Sequence, residues 1–329
     1  MAPNKKLDMS IVTTLYSSSP YINEFYDRVS KSAKNISDSY EVIFVNDGSP
    51  DDSLLTAKLL SENDSKVKVV NLSRNFGHHN AMLAGLLESK GDKVFLIDVD
   101  LEEEPELLVD FWNEFHLEDK TDVVYGVAKS REGGIIRKSL GSAFYDLFNS
   151  LSQTKIPENI LTIRLMSRRY VDAIASYQEN SLFLGGLFAD AGFNQKPKFV
   201  YKNFKGATTY TLRKRIGLLV NAITSFSSKP LEFFVYIGAF IFAMSIFAVL
   251  VVVFRKFVFG IDAAGWASVI VALSFFGGLQ ILSIGVIGTY LGKVFNEVKR
   301  RPRFIVSDIY QKVDERFIVS DIFQKEEDK

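Results

Sequence analysis

From Phe233 to Phe254 the chain runs for 22 residues, FFVYIGAFIFAMSIFAVLVVVF, without one charged side chain. A helix needs about 20 apolar residues to cross a hydrocarbon layer about 30 Å thick, and a helix satisfies its own backbone amides where no water can. A second uncharged run of 30 residues, Ala263–Gly292, follows a connection, Arg255–Asp262, that suits a tight turn. The expectation is a hairpin of two transmembrane helices within 231–292, at about 233–254 and 265–292, the second with an interfacial end at Trp266. The alternative is a buried helix pair, but soluble core helices seldom run this far without a charge. Gly277, Gly278, Gly285 and Gly288 offer small surfaces for close helix approach, within the hairpin or between subunits.

Basic residues set the expected orientation, because short cytoplasmic flanks carry the Lys/Arg excess. Arg213, Lys214, Arg215 and Lys229 precede the first run, and Lys293, Lys299, Arg300, Arg301 and Arg303 follow the second; the intervening loop has only Arg255 and Lys256. Both termini and the large N-terminal region are therefore expected on the cytoplasmic face. The opening MAPNKKLDMS runs into a strand pattern and shows no export signal. Between 212 and 230, Leu212, Ile216, Leu219, Val220 and Ile223 recur at helical spacing beside basic residues. That pattern predicts an amphipathic helix lying along the membrane face.

Outside these runs the chain is charged, with 39 Lys+Arg balancing 39 Asp+Glu. A net charge of zero argues against a surface tuned to nucleic acid. The absence of cysteine excludes disulfides, thiolate nucleophiles and thiolate metal sites.

Residues 1–211 read as a soluble domain and 293–329 as a cytosolic tail. Apolar, β-branched runs at Met9–Leu15, Tyr40–Asn46, Lys66–Leu72, Lys93–Asp98 and Asp122–Val127 alternate with helical patterns at Asn23–Lys34, Ser53–Glu62 and Asn80–Ser89. The alternation predicts an α/β fold with a largely parallel, Rossmann-like sheet, whose ligands bind beyond the carboxyl ends of the strands. No G-x-G-x-x-G follows the first strand and no G-K-[ST] occurs anywhere, which disfavours dinucleotide cofactors and P-loop chemistry.

Three clusters remain as candidates. In FVNDGSPDDS, Asp47 and Ser49 stand at a strand tip, where Asp47 can accept hydrogen bonds from a base or ribose; alternatively Asp47, Ser49 and Asp51 turn the chain and cap the next helix. In LIDVDLEEEPE, Asp98 and Asp100 lie two apart, so on a strand both carboxylates would face one side. Two hard oxygen ligands at an open site suit Mg²⁺ or Mn²⁺ bridging a diphosphate; a solvated acidic turn is the alternative. In SREGGIIRKS, Arg131, Arg137 and Lys138 flank a Gly-Gly hinge; they are phosphate-binding candidates or surface charges at a helix start. His78 and His79 follow RNFG after the third strand, with His78 a candidate neighbour of substrate.

Taken in order, VNDGSPDD, NLSRNFGHHNAMLAGL, LIDVDLEEEPEL, DVVYGVAKSREG, RLMSRRYVDAI, LFADAGF, TSFSSKPL and VIGTYLGKVFNEVKRRPRFIVSDI resemble the family 2 glycosyltransferases that load a sugar onto polyprenyl phosphate. The likeness runs from Ser10 to about Asp308. It implies a GT-A catalytic domain before the membrane hairpin, and an inverting, metal-dependent transfer from a UDP- or GDP-sugar to undecaprenyl or dolichyl phosphate. A homotetramer is implied as well. By motif position Asp47, Ser49 and Asp98 are implied at the donor nucleotide, Asp98, Asp100 and Glu102 at Mg²⁺ or Mn²⁺, and Arg131, Arg137 and Lys138 at the acceptor phosphate. Asp98, Asp100, Arg131 and Arg137 form the implied catalytic set. The chain departs from the family pattern at Glu102, usually a Gln, at Thr162, often an Asp, and at Gly185 and Thr209, usually basic. Those departures motivate a competing reading as a degenerate membrane scaffold. A processive polysaccharide synthase is a further alternative, without the Q-x-x-R-W motif and extra spans of that class.

Finally, RFIVSDIYQK at Arg303–Lys312 recurs as RFIVSDIFQK at Arg316–Lys325. The repeat reads either as a tolerated tandem duplication in the tail, the preferred expectation, or as a pair of strands docking on the catalytic domain or a neighbouring subunit.

Overall fold

The segment MSIVTTL, Met9–Leu15, forms β1, and all seven of its residues are buried. A strand covered on both faces has no solvent side to mark by alternation, so its few polar residues, Ser10, Thr13 and Thr14, are small and buried with the rest. The computed structural model describes residues 7–129, 159–179, 184–201, 229–259 and 265–312. The chain divides into two units, one comprising 1–142, 156–209 and 302–329, the other 143–155 and 210–301.

In the first unit β1 is followed by α1 (Ile22–Lys34), β2 (Tyr40–Asn46), α2 (Ser53–Asn63), β3 (Val67–Leu72), α3 (His78–Glu88), β4 (Lys93–Leu96), α4 (Leu107–His116) and β5 (Val123–Ala128). Then come β6 (Ile160–Ser167), α5 (Arg168–Ser176), α6 (Leu184–Asp190) and β7 (Gln195–Val200). With β8 (Val306–Gln311), the eight-stranded sheet runs β7-β5-β6-β4-β1-β2-β3-β8. Strands β1, β2, β3 and β4 are mutually parallel, as are β5 and β7. Strand β6 runs antiparallel between β4 and β5. This is the α/β, mostly parallel sheet that the alternation predicts. Strand β6 has no counterpart among the expected strands.

One face of the sheet supplies Met9, Ile11, Phe44, Val69 and Phe95 to a core closed by Phe25 and Val29 of α1 and Phe111 of α4, all fully buried. Phe25 meets Phe44 and Phe95 meets Phe111 edge-to-face, at centroid separations of 6.1 and 5.8 Å. Burial of each such side chain contributes roughly 1.5–3 kcal/mol. On the other face α3 lies close to the sheet at Gly85, where a Cβ would stand 2.4 Å from Val12 Cγ1 and 2.9 Å from Val45 Cγ2.

The edge beyond β3 holds β8, Val306–Gln311, antiparallel to β3. The first copy of the C-terminal repeat is thus a strand docked on the sheet, as the alternative of docking strands has it for this copy. Its apolar positions are sparse because an edge strand covers little of the core. The second copy lies outside the described residues.

The second unit contains α7 (Lys229–Phe259) and α8 (Trp266–Val298), which touch each other. Two long helices stand where two spans are expected. By length and composition, one helix among the described residues suffices to cross a membrane, Phe275–Val298, and Leu231–Phe247 is a shorter apolar helix. Phe233, Tyr236, Phe240, Ile281, Ile284 and Leu291 are all more than half exposed. Among the described residues, a Cβ at Gly277, Gly278, Gly285 or Gly288 would meet nothing within 4 Å. The expected amphipathic helix over 212–230 falls almost wholly outside the described residues.

Candidate active site at the strand tips

The carboxyl ends of β1, β2, β3 and β4 all point to one edge of the sheet, and the strand order reverses between β1 and β4. Crevices at such a reversal are where open α/β sheets take their ligands. The sequence candidates Asp47, Ser49, Asp98, Asp100, Glu102 and His78 all follow these four strands.

Asp47 comes directly after β2 and is buried, 2% exposed. Its two carboxylate oxygens accept hydrogen bonds from the backbone N–H groups of Phe76 (2.7 Å) and Gly77 (3.0 Å). Burial still raises its pKa above the usual carboxylate value, against those two bonds and the nearby His78 and Arg74. Asp47 therefore fastens the loop between β3 and α3, and each oxygen keeps a further lone pair for a ligand. Gly48 permits the approach: its φ is +60°, and a Cβ there would lie 2.5 Å from the Asn75 nitrogen.

Ser49 and Asp51 follow the chain-turning alternative. Ser17 N–H donates to Ser49 Oγ at 2.8 Å, and Ser49 in turn donates to Asp51. Asp51 also accepts from Ser19 N–H (3.0 Å) and Ser53 N–H (3.1 Å), at the start of α2. Burial pushes the Asp51 carboxyl up, but the hydrogen bonds from Ser49, Ser53 and Ser19 outweigh it and hold the pKa at about 2.

Strand β4 ends at Leu96, two residues earlier than expected, so Asp98 and Asp100 lie in the turn beyond it. Strand pleat consequently does not orient them. Asp100 Oδ1 accepts the Glu102 N–H at 2.9 Å, closing a local turn, and Leu101 takes φ +59°. His78, the first residue of α3, lies with Nδ1 3.0 Å from Thr14 Oγ1 and Nε2 3.4 Å from Asp98 Oδ1. Asp47 and Asp100 also act on it electrostatically. The structure thus brings Asp47, His78, Asp98 and Asp100 together from the tips of β2, β3 and β4.

Among the described residues no three His, Asp or Glu side chains form a ready-made metal cage. Hard divalent ions that keep waters and bind substrate phosphates take only one or two protein carboxylates, and Asp98 and Asp100 fit that demand. Arg131, Arg137 and Lys138 lie outside the described residues, as does Thr209. Thr162 lies on β6 and Gly185 on α6.

Sequence reasoning passed over Arg164. It is 3% exposed on β6, next to Leu96 across the sheet, and donates to the Thr162 and Leu161 carbonyls at 3.1 and 3.3 Å. Its guanidinium covers the Phe188 ring at 3.5 Å, and burial lowers its pKa to about 10. An arginine inside an otherwise apolar strand, LTIRLM, was the available signal.

An acidic rim thus stands at the reversal point of a mostly parallel sheet in an α/β fold. The sequence profile of glycosyl transferase family 2 matches residues 10–175, and the chain belongs to that family. It is a glycosyltransferase. A Mycobacterium tuberculosis protein named among the glycosyltransferases is 45% identical over 302 residues, covering 92% of this chain and 88% of that protein. The bactoprenol glucosyl transferase of Shigella phage SfV is 32% identical over 314 residues, covering 93% of this chain and all of the phage protein. The solved mannosyltransferase PcManGT of Pyrobaculum calidifontis, in complex with GDP-Man and Mn²⁺, is 12% identical over 91% of this chain and 89% of its own, with a TM-score of 0.46. That last likeness is too distant to bear on ligands.

Proposed function

We propose that this glycosyltransferase moves a sugar from a UDP- or GDP-sugar to a polyprenyl phosphate, undecaprenyl or dolichyl, at the cytosolic face of a membrane. The observation that carries the reading is the convergence of Asp47, His78, Asp98 and Asp100 at the reversal point of the sheet. The apolar helix Phe275–Val298 and the relative named for bactoprenol support a lipid acceptor.

The chemistry asks little of a general base. A phosphate monoester has a second pKa of about 6, so the acceptor is largely dianionic at pH 7. One of its oxygens attacks C1 of the donor sugar; a C1–O–P bond forms as the bond from C1 to the nucleotide diphosphate breaks, with inversion at C1. The protein's work is alignment and charge compensation. Asp47, Ser49 and the loop that Asp47 braces are the residues to meet the nucleotide. Asp98 and Asp100 are the residues to hold Mg²⁺ or Mn²⁺, with Glu102 beside them, and that ion would supply neutralisation of the departing diphosphate. Arg131, Arg137 and Lys138 are assigned to the acceptor phosphate. A homotetramer joined through the apolar helices completes the proposal.

The test is transfer of labelled sugar from a panel of UDP- and GDP-sugars in membranes supplied with undecaprenyl phosphate. Asp100→Ala is expected to lower product at least 100-fold and Arg137→Ala to raise the KM for the lipid. Lipid-linked product unaffected by Asp100→Ala would remove the metal assignment, and sugar transfer only to acceptors without a phosphate would remove the acceptor.

A further inference from the structure

The C-terminal repeat is the one motif that the proposed reaction leaves unused. Its two copies, Arg303–Lys312 and Arg316–Lys325, differ at a single position, Tyr310 against Phe323. The first copy forms β8, with Val69, Val70 and Asn71 opposite Tyr310, Ile309 and Asp308.

Apart from the Tyr310 hydroxyl, each side-chain group that secures β8 has a duplicate thirteen residues on. Arg303 donates to the Tyr177 carbonyl at 2.6 Å, and Arg316 repeats it. Asp308 accepts from Asn71 Nδ2 at 3.3 Å, and Asp321 repeats it. Gln311 donates to the Ser65 carbonyl at 3.3 Å, and Gln324 repeats it. Lys58 Nζ lies 4.0 Å from the centre of the Tyr310 ring, which packs on the core, and Phe323 offers the same aromatic face. The remaining contacts are backbone, such as Ser73 N–H to the Ile305 carbonyl at 2.9 Å, which any extended segment can supply.

We propose that the edge of β3 is one docking slot with two interchangeable occupants from the same chain, Arg303–Lys312 and Arg316–Lys325. Side-chain contacts therefore choose between them only through the Tyr310 hydroxyl, which bonds Asp308 and which Phe323 lacks. Connection length also favours the first copy: the stretch between the end of α8 and the paired strand is 299–305 for the first copy and 299–318 for the second. Loop closure disfavours the longer connection only logarithmically, so the second copy remains a competitor. Selection of one copy sets the length of the tether from the apolar helices to the sheet.

The experiment uses the full-length chain, which has no native cysteine. Adjacent prolines in a strand must remove at least one ladder N–H, because alternate amides face the neighbour. Ile309→Pro with Tyr310→Pro therefore disables the first copy, and Ile322→Pro with Phe323→Pro the second. Opposed residues on antiparallel strands are within disulfide reach. Asn71→Cys with Asp321→Cys is expected to cross-link within one chain, weakly when both copies are intact and at least five-fold more when the first copy carries the prolines. Disabling either copy alone is expected to leave sugar transfer within two-fold of the parent, and disabling both to abolish the thermal transition of the sheet. The proposal falls if the cross-link is absent with both copies intact, if it forms only between chains, or if disabling the first copy is as damaging as disabling both. If sugar transfer itself is never observed, the cross-link still decides the proposal.

Discussion

The imidazole Nε2 of His78 stands 3.4 Å from the Asp98 carboxylate, while its Nδ1 reaches Thr14 Oγ1 at 3.0 Å. One ring thus joins the tip of β1 to the turn after β4, across the point where the strand order reverses.

That bridge predicts a positioning role. His78→Ala frees Asp98 from a fixed neighbour, and loss of one orienting partner typically lowers activity or metal affinity 10–100-fold. The expected result is a fall of that size in kcat/KM for the nucleotide sugar, with a higher Mn²⁺ concentration for half-maximal rate and an unchanged thermal transition. His78→Gln should restore part of the rate by keeping a polar tip.

Asp47 acts through the loop that it holds. Asp47→Ala leaves two backbone N–H groups without their acceptor, and a lost buried partner costs about 1–3 kcal/mol. Asp47→Asn keeps one carbonyl oxygen and should cost less. Thermal unfolding ranks the two, and raised hydrogen exchange at Phe76 and Gly77 in the alanine variant locates the damage.

Asp51 gives a pH dependence with a definite sign. Its folded pKa, about 2, lies below the ordinary 3.8. The stability it contributes is complete above pH 3.8 and is lost as pH falls through about 2. Asp51→Asn is expected to be less stable than the parent by about 1 kcal/mol at pH 7. The gap should close between pH 4 and pH 2 in parallel urea titrations; a constant gap would contradict the assignment.

The helix Phe275–Val298 predicts membrane retention. Arg at the centre of a span costs about 2.5–3.5 kcal/mol per residue on insertion scales. Ile284→Arg with Ile287→Arg, both positions exposed in the structure, should release the chain from membranes on carbonate extraction. Retention equal to the parent would count against this helix as a span.

Much of the sheet was legible from sequence. Strands β1 and β2 end where the β-branched, largely apolar runs end, because central parallel strands are buried on both faces; their polar residues are buried too, as in the bond from Ser10 Oγ to Glu41 at 2.6 Å. Strand β4 did not: Ile97 is buried and reads as strand, yet the ladder stops at Leu96 and the acidic turn begins. Strand β8 was legible only as one of two alternatives, for the opposite reason. It pairs with one neighbour, through backbone bonds and a few polar or aromatic side chains, which leave little hydrophobic signature.

By itself, then, the sequence determined the long apolar helices, the parallel alternation and the acidic residues after the strands, because hydrophobic period and turn chemistry are local properties. Only the tertiary structure decided that Asp47 braces the Phe76–Gly77 loop, that His78 meets Asp98, that Arg164 is buried on Phe188, and that a segment near the C-terminus completes the sheet beside β3. Those relationships join residues from 20 to 237 positions apart, and the folded sheet is what brings them into contact.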